Sequence, residues 1–332
     1  MREPAFLHKN REKWQEYEES LFGNNNQSLD PGRLEELYIQ LTDDLAYART
    51  FYPKSNTVKY LNGLAARTYL LIYKNKNTGE NRLKRFLTVD LPLIYFHSRK
   101  YLLFTFGVFL FFVAMGWILT MNDESMARTV LGDDYIDMTI RNIEKGEPAD
   151  VYRGGSAVIT FLRIAFNNMY VMMISFLYGI IAGLGTIYIL FTNGIMVGSF
   201  FAFFERYGAS GEAWPIILIH GTLEITAIAL AGTAGLMMGA GLLFPGTYKR
   251  LHALRRNARA GIKMMIGLIP VITLAAFLEG YITRLTDMHI AFKMVIILAS
   301  AAFLIWYYWV YPAQVARKLG LEYANLDYVI EA

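Results

Sequence analysis

A histidine and a glutamate four residues apart interrupt a long apolar stretch in the second half of the chain. His220 and Glu224, with Gly221 between them, lie in the run HGTLE inside a Gly- and Ala-rich segment from Trp214 to Phe244. Residues four apart share one face of a helix. An imidazole and a carboxylate on one face can handle a proton or supply two ligands to a metal ion. Ionisable groups within a membrane segment are costly unless paired or hydrated, which makes this pair a candidate for function.

Three interpretations of the pair follow from its chemistry. It is a buried hydrogen bond that fixes helix packing, a proton-handling or transport site, or half of a metal site. A zinc site needs at least a third protein ligand, and the other acid in the apolar segments is Glu279. The spacing does not establish that Glu279 meets the pair. The sequence therefore assigns no catalytic residue, no cofactor and no metal ion.

Three further polar residues join the candidate cluster of functional or structural side chains. Arg163 and Asn168 lie at the entrance to a second apolar stretch, and Asn193 lies in a Thr-Asn-Gly run that predicts a tight turn. Arg163 either contacts lipid headgroups, pairs with Glu205 or Glu224, or extends its guanidinium to the membrane surface.

The composition indicates an integral membrane protein. Hydrophobic residues make up 55% of the 332 residues and charged residues only 18%, above and below the typical values for soluble domains. The charges are clustered between long apolar runs instead of being spread over the chain. A net charge of +4 gives no argument for nucleic-acid binding, and the absence of cysteine excludes thiolate chemistry and disulfides.

Six apolar segments predict an all-α polytopic fold with about six transmembrane helices. The predicted spans are 101–120, 170–191, 195–204, 214–244, 264–282 and 290–311. The third is short enough to be a re-entrant segment, and residues 157–168 predict a surface helix before the second span. The segment 121–156 has eight acidic and four basic residues and predicts a short helix around 135–143, whereas 245–263 has six basic and no acidic residues. Basic segments stay in the cytoplasm, which predicts a multi-pass membrane protein with both termini cytoplasmic.

Residues 1–98 predict a cytosolic helical domain of four amphipathic helices, followed by a membrane domain over 99–332. The clearest helix starts at Asp30 and Pro31, which suit its cap and first turn. Its apolar face is formed by Leu34, Leu37, Tyr38, Leu41 and Leu45. The last segment, 82–98, mixes basic and aromatic residues. It predicts a helix in the lipid headgroup region, with an ordinary helix packed on its neighbours as the alternative.

Several motifs resemble the stage II sporulation protein M family, in particular its longer, non-sporulating bacterial branch. In the N-terminal part they are FLHKNREKW (6–14), LTDDLAYARTFYP (41–53) and YLNGLAARTYLLIY (60–73). In the membrane part they are AFNNM (165–169), TNGIMVG (192–198) and HGTLEITAIALAGTAG (220–235). The large N-terminal domain departs from the sporulation form, and the family assigns no settled catalytic role to the HGxxE element.

The resemblance implies a membrane component of a cell-envelope complex and not a defined enzyme. In spore formers such proteins work with cell-wall hydrolases. In other bacteria the longer members lie in gene clusters with a MoxR-type AAA ATPase and von Willebrand-type proteins. We therefore expect a membrane scaffold that contacts lipids and recruits protein partners through its cytosolic domain. The sequence leaves open whether the protein forms a homo-oligomer. There are two alternative functions: a transporter or channel with a polar site on the fourth span, and an intramembrane hydrolase.

The predicted topology is tested by single cysteines, because the native chain has none. Cysteines at Asn75, Arg255 and Leu326 should be protected from an impermeant thiol reagent in intact cells, and one at Gly132 should react. Labelling at Arg255 together with protection at Gly132 would show that the orientation is the opposite of the predicted one.

Overall fold

The computed structural model describes residues 3–22, 31–74, 82–148 and 156–319, and within them every regular element is a helix. The chain forms two compact units, Met1–Asn81 and Arg82–Ala332.

The N-terminal unit contains α1 (Glu3–Phe22), α2 (Pro31–Phe51) and α3 (Asn56–Lys74). Its core is built from one apolar face of each helix, as expected for short helices that are marginal alone in water. The fully buried core side chains are Phe6, Trp14, Leu41, Leu45, Ala48, Leu61 and Leu64. The indole Nε1 of Trp14 donates to Asp44 Oδ2 at 2.9 Å. The predicted inward face of α2 is observed at Leu37, Leu41 and Leu45, whereas the side chain of Leu34 lies outside the described residues.

The segment after this unit packs with the membrane helices. It consists of α4 (Arg82–Arg85), a π turn (Phe86–Asp90) and α5 (Leu91–His97). Leu91, Ile94 and Tyr95 are fully buried. The hydroxyl groups of Tyr307 and Tyr311 donate to the carbonyls of Leu87 and Thr88 at 2.8 and 2.9 Å.

These contacts explain why the compact units divide between residues 81 and 82, whereas the sequence placed the domain boundary at 98. The side chains of Leu91, Leu93, Ile94 and Tyr95 are buried in the core that the membrane helices share, and those of Phe86, Leu87, Val89 and Phe96 are partly buried against it. Their depth relative to lipid headgroups stays a prediction.

Among the described residues, six helices are long and apolar enough to cross a membrane, which confirms the predicted all-α polytopic fold. They are α6 (Arg99–Asn122), α9 (Ala157–Leu177, extended by a 3₁₀ turn to Ile180), α10 (Leu184–Arg206), α11 (Ser210–Leu243), α12 (Arg250–Phe277, extended by a π turn to Ile282) and α13 (Ile290–Ile305, extended by a π turn and α14, Tyr311–Lys318). Most of the predicted basic loop is helical, because α12 begins at Arg250.

The turn between the second and third spans lies ten residues earlier than the sequence predicted. The chain turns at Ala182 and Gly183, which have φ of 50° and 81°. The predicted turn around Asn193 is wrong, because that residue lies inside α10, where its Nδ2 donates to the Ile189 carbonyl at 2.8 Å. Gly194 is needed for packing, since a Cβ there would overlap Phe112 of α6. The predicted surface helix 157–168 is likewise the first half of a span, and the third span is full length.

Two amphipathic helices lie in the segment between α6 and α9. They are α7 (Glu124–Leu131) and α8 (Asp133–Glu144), and the second matches the helix predicted near 135–143. Ala127 and Ile136 form a buried cluster with Phe203, Phe204 and Ile217, at the adjoining ends of α10 and α11. This pair of helices therefore covers one end of the membrane bundle.

Close packing of α6 against α10 depends on glycines. A Cβ on Gly116 would overlap the Ile195 carbonyl, and one on Gly198 would overlap the Val113 carbonyl. Small residues allow such backbone approach between helices in lipid. Gly107, on the same α6, has open space where a Cβ would be.

We predict opposite effects for alanine at two of these positions. Gly198→Ala should destabilise the protein by about 1–3 kcal/mol, because overpacking forces a backbone shift. Gly107→Ala should be neutral or should stabilise by up to about 1 kcal/mol through its helix propensity. Thermal unfolding in detergent measures both. Equal melting temperatures for the two variants would contradict the contact at Gly198.

Candidate functional site

The helix that carries His220 and Glu224 is the central helix of the membrane unit. In the most apolar window of α11, 83% of the residues are buried, compared with 22% in α6. It packs against α6, α9, α10, α12 and α13. His220 is only 5% exposed, and Glu224 lies one turn further along the same face. Their polar atoms must therefore find partners on neighbouring helices.

The partner of His220 comes from α12. The π turn Leu278–Ile282 carries Glu279, whose Oε2 lies 3.7 Å from His220 Nε2. One ligand-type atom from each of His220, Glu224 and Glu279 lies within 4.8 Å of the others. Single π turns within helices occur often at functional sites.

Thr283 orients the imidazole from the opposite edge. Its Oγ1 lies 3.1 Å from His220 Nδ1 and also 3.1 Å from the Leu278 carbonyl, to which it donates. A hydroxyl that donates to Leu278 accepts from Nδ1–H, so the imidazole presents its Nε2 lone pair to Glu279. This arrangement is compatible with the tautomer that carries its proton on Nδ1.

A third helix contributes an amide. Asn168 of α9 is 3% exposed, and its side chain faces the Glu224 carboxyl group. Its Oδ1 accepts from Asn167 Nδ2 at 3.4 Å. Its Nδ2 is buried and has no hydrogen-bond partner of normal geometry among the described residues. The amide therefore lies beside Glu224, where it can serve as a hydrogen-bond donor to the carboxyl group.

The structure separates the other predicted site residues from this cluster. Arg163 is on the exposed face of α9 and makes no ion pair with Glu205 or Glu224 in the part of the chain that the structure describes. Asn193 is satisfied within α10. A Cβ on Gly221 would make ordinary contacts of 3.7 and 3.8 Å, so no close approach requires glycine there. The assembled group is His220, Glu224, Glu279 and Asn168, which we call the polar cluster.

Sequence reasoning missed two neighbours of the polar cluster. Thr283 is four residues after Glu279, so the same i, i+4 spacing that singled out His220 and Glu224 would have found it. Tyr135 of α8 lies near enough to Glu279 for an electrostatic interaction between the two side chains. Burial raises the pKa of Tyr135 to about 12, which keeps the phenol neutral beside the cluster.

A cleft of about 450 Å³ lies at the same end of the bundle. Its wall includes Ile216, one turn before His220, and Thr286, three residues after Thr283. Three carboxylates and one ammonium also line it, from Glu147, Glu212, Asp287 and Lys293. The Lys293 Nζ donates to the Thr286 carbonyl at 2.9 Å. The polar cluster is therefore close to a polar entrance, although it lies between apolar helices.

The fold and the site define the chain as an all-α, multi-pass membrane protein with a buried histidine–carboxylate cluster at the contact of three spans. The family model of stage II sporulation protein M matches residues 105–284, more than half of the chain. The chain therefore belongs to that family. A domain of unknown function (DUF8413) matches residues 4–74 of the N-terminal unit. No curated protein and no solved structure matches the chain.

The polar cluster couples α11 to α12, and a double-mutant cycle measures the coupling. His220→Ala and Glu279→Ala should each lower the free energy of unfolding by about 1–3 kcal/mol, because each removes a polar partner of the other side chain. The double variant should lose less than the sum of the two. Thermal or denaturant unfolding in detergent gives the three values.

Asn193→Ala is the matched control, because its amide bonds only within its own helix. It should change stability much less than either cluster variant. Strictly additive losses for His220 and Glu279 would show that the two side chains do not interact.

Proposed function

We propose that this protein is a membrane scaffold of a bacterial envelope complex, and that its N-terminal unit recruits a protein partner. The observation that carries the proposal is the independent core of residues 3–74, which is matched by a different family model from the membrane part. A unit with its own core can present a fixed surface to a partner without help from the membrane helices. This role agrees with the one that the family resemblance implies.

We further propose that the protein lies in the cytoplasmic membrane with both termini in the cytoplasm. An even number of spans supports termini on one side. The acidic segment with α7 and α8 and the basic start of α12 then fall on opposite sides, as the distribution of Lys and Arg favours. In this orientation the N-terminal unit is accessible to soluble partners, and the polar cluster lies toward the outer face.

Packing around α11 supports the scaffold over the transporter. A Cβ on Gly179 would overlap the Gly235 carbonyl, and one on Gly239 would overlap the backbone of Gly183. At these points α11 is in backbone contact with the residues that join α9 to α10. Such contacts suit a rigid bundle better than helices that separate to pass a substrate.

Affinity purification of the full-length protein tests the scaffold. Trp14→Ala should unfold the N-terminal unit, because removing a core tryptophan costs about 3–5 kcal/mol. Ile39→Ala is the matched control, since Ile39 is 52% exposed on α2. Partners identified by mass spectrometry should be retained by wild type and Ile39→Ala, and lost by Trp14→Ala.

The membrane unit serves as the internal reference in this experiment. Its elution in detergent should be the same for all three proteins, so that partner loss reports the N-terminal unit alone. A wild-type protein that recovers no partner, or partners retained by Trp14→Ala, would refute recruitment by this unit. Substrate-dependent flux in liposomes would favour the transporter instead.

A further inference from the structure

We propose that His220, Glu224 and Glu279 bind a divalent transition-metal ion between α11 and α12. The inference goes beyond the scaffold role and does not depend on it. It is carried by the convergence of three ligand-type side chains, and the buried amide of Asn168 beside Glu224 supports it.

The ligand geometry is close to that of a bound ion. Zinc–nitrogen and zinc–oxygen bonds are about 2.0–2.2 Å long, so two ligands of one ion lie at most about 4.4 Å apart. The relevant atoms of the three residues already lie within 4.8 Å of one another. Small rotations of the two glutamate side chains close this difference, whereas the imidazole is held by Thr283 and need not move.

The orientation of His220 is that of a metal ligand. Nδ1 is engaged with the Thr283 hydroxyl at 3.1 Å, and metal-bound histidines commonly donate their second ring N–H to such a partner. Nε2 points at the Glu279 carboxylate, 3.7 Å from Oε2. A distance of 3.7 Å is too long for a good hydrogen bond. A cation could bind both of these atoms at once.

Asn168 supplies the supporting observation. Its Nδ2 is buried beside the Glu224 carboxyl group and makes no hydrogen bond of good geometry within the part of the chain that the structure describes. Ligating carboxylates are usually held by hydrogen bonds from outside the metal's own shell. When Glu224 turns one oxygen toward an ion, its other oxygen can accept from this amide. Alternatively, a water on the ion's open position can accept the same proton.

The donor set selects the class of ion. One imidazole nitrogen and two carboxylate oxygens suit Zn²⁺ or Mn²⁺, whereas Ca²⁺ and Mg²⁺ prefer oxygen ligands throughout. Three protein ligands leave at least one position for water. The Glu279 side chain is 17% exposed, and the neighbouring cleft carries three carboxylates against one lysine. The cleft thus places acidic side chains at the same end of the bundle as the site.

Metal analysis of the full-length protein tests the proposal. The protein is purified in detergent on a tag without histidine, and its metal content is measured by mass spectrometry. Wild type should retain about one Zn²⁺ or Mn²⁺ per chain, as a site with three protein ligands implies. His220→Ala and Glu279→Gln should each lower that content at least tenfold, in line with loss of one ligand. Glu205→Gln, which removes an exposed carboxylate elsewhere in the membrane unit, and Asn193→Ala should leave it unchanged.

A second arm needs no variant and is independent of how well the variants fold. Wild-type protein is stripped with a chelator, and zinc chloride, manganese chloride or magnesium chloride is added back. The melting temperature should fall on stripping and recover with zinc or manganese, but not with magnesium. A wild type without metal whose melting temperature responds to neither zinc nor manganese would overturn the proposal. Equal metal content in wild type and both ligand variants would also overturn it. Partner recovery is not measured here, so the two proposals fail separately.

Discussion

The enclosure of α11 by five other helices is the constraint on which the membrane unit depends. A helix buried on all sides has neither water nor lipid headgroups for its polar atoms. Its neighbours must also approach closely, because association of helices in lipid relies on van der Waals contact and not on the hydrophobic effect. The glycines of α11 and of the turn between α9 and α10 provide that approach, with Gly179, Gly235 and Gly239 at backbone contacts.

The same enclosure dictates the composition of the polar cluster. The polar groups of His220 and Glu224 need interaction partners from other helices. Helix α12 supplies Glu279 and Thr283, and α9 supplies Asn168. An imidazole and two carboxylates in such surroundings need a proton or a cation to balance their charge. The structural interpretation and the metal interpretation of the HGxxE element are therefore compatible. A bound ion would itself be the element that holds α11 to α12.

The two units are stabilised by different physical terms. The N-terminal unit buries Phe6, Trp14 and Leu61 away from water, and its stability comes mainly from the hydrophobic effect. The membrane unit exposes large apolar side chains such as Phe111 and Leu298 on its outside, where lipid replaces water. Mutations should accordingly act on the two units separately, which is what the Trp14→Ala experiment uses.

Hydropathy and local spacing were enough to predict six spans, the α8 helix and the inward face of α2, because each depends on residues close together in the chain. The same spacing identified His220 and Glu224 as one face of a helix. The turn at Ala182 and Gly183 was not predictable in this way. A Thr-Asn-Gly run is typical of a turn, but in α10 its glycine allows the backbone to pack closely against α6.

The meeting of His220 with Glu279 and Asn168 was also decided by tertiary structure alone. These residues lie on three different helices and are distant from one another in sequence. Their contact depends on the rotation of each helix about its axis and on the π turn that carries Glu279. Packing of the whole bundle sets both quantities. The sequence by itself determined that the buried ionisable groups need partners, and only the packed helices decided which residues those partners are.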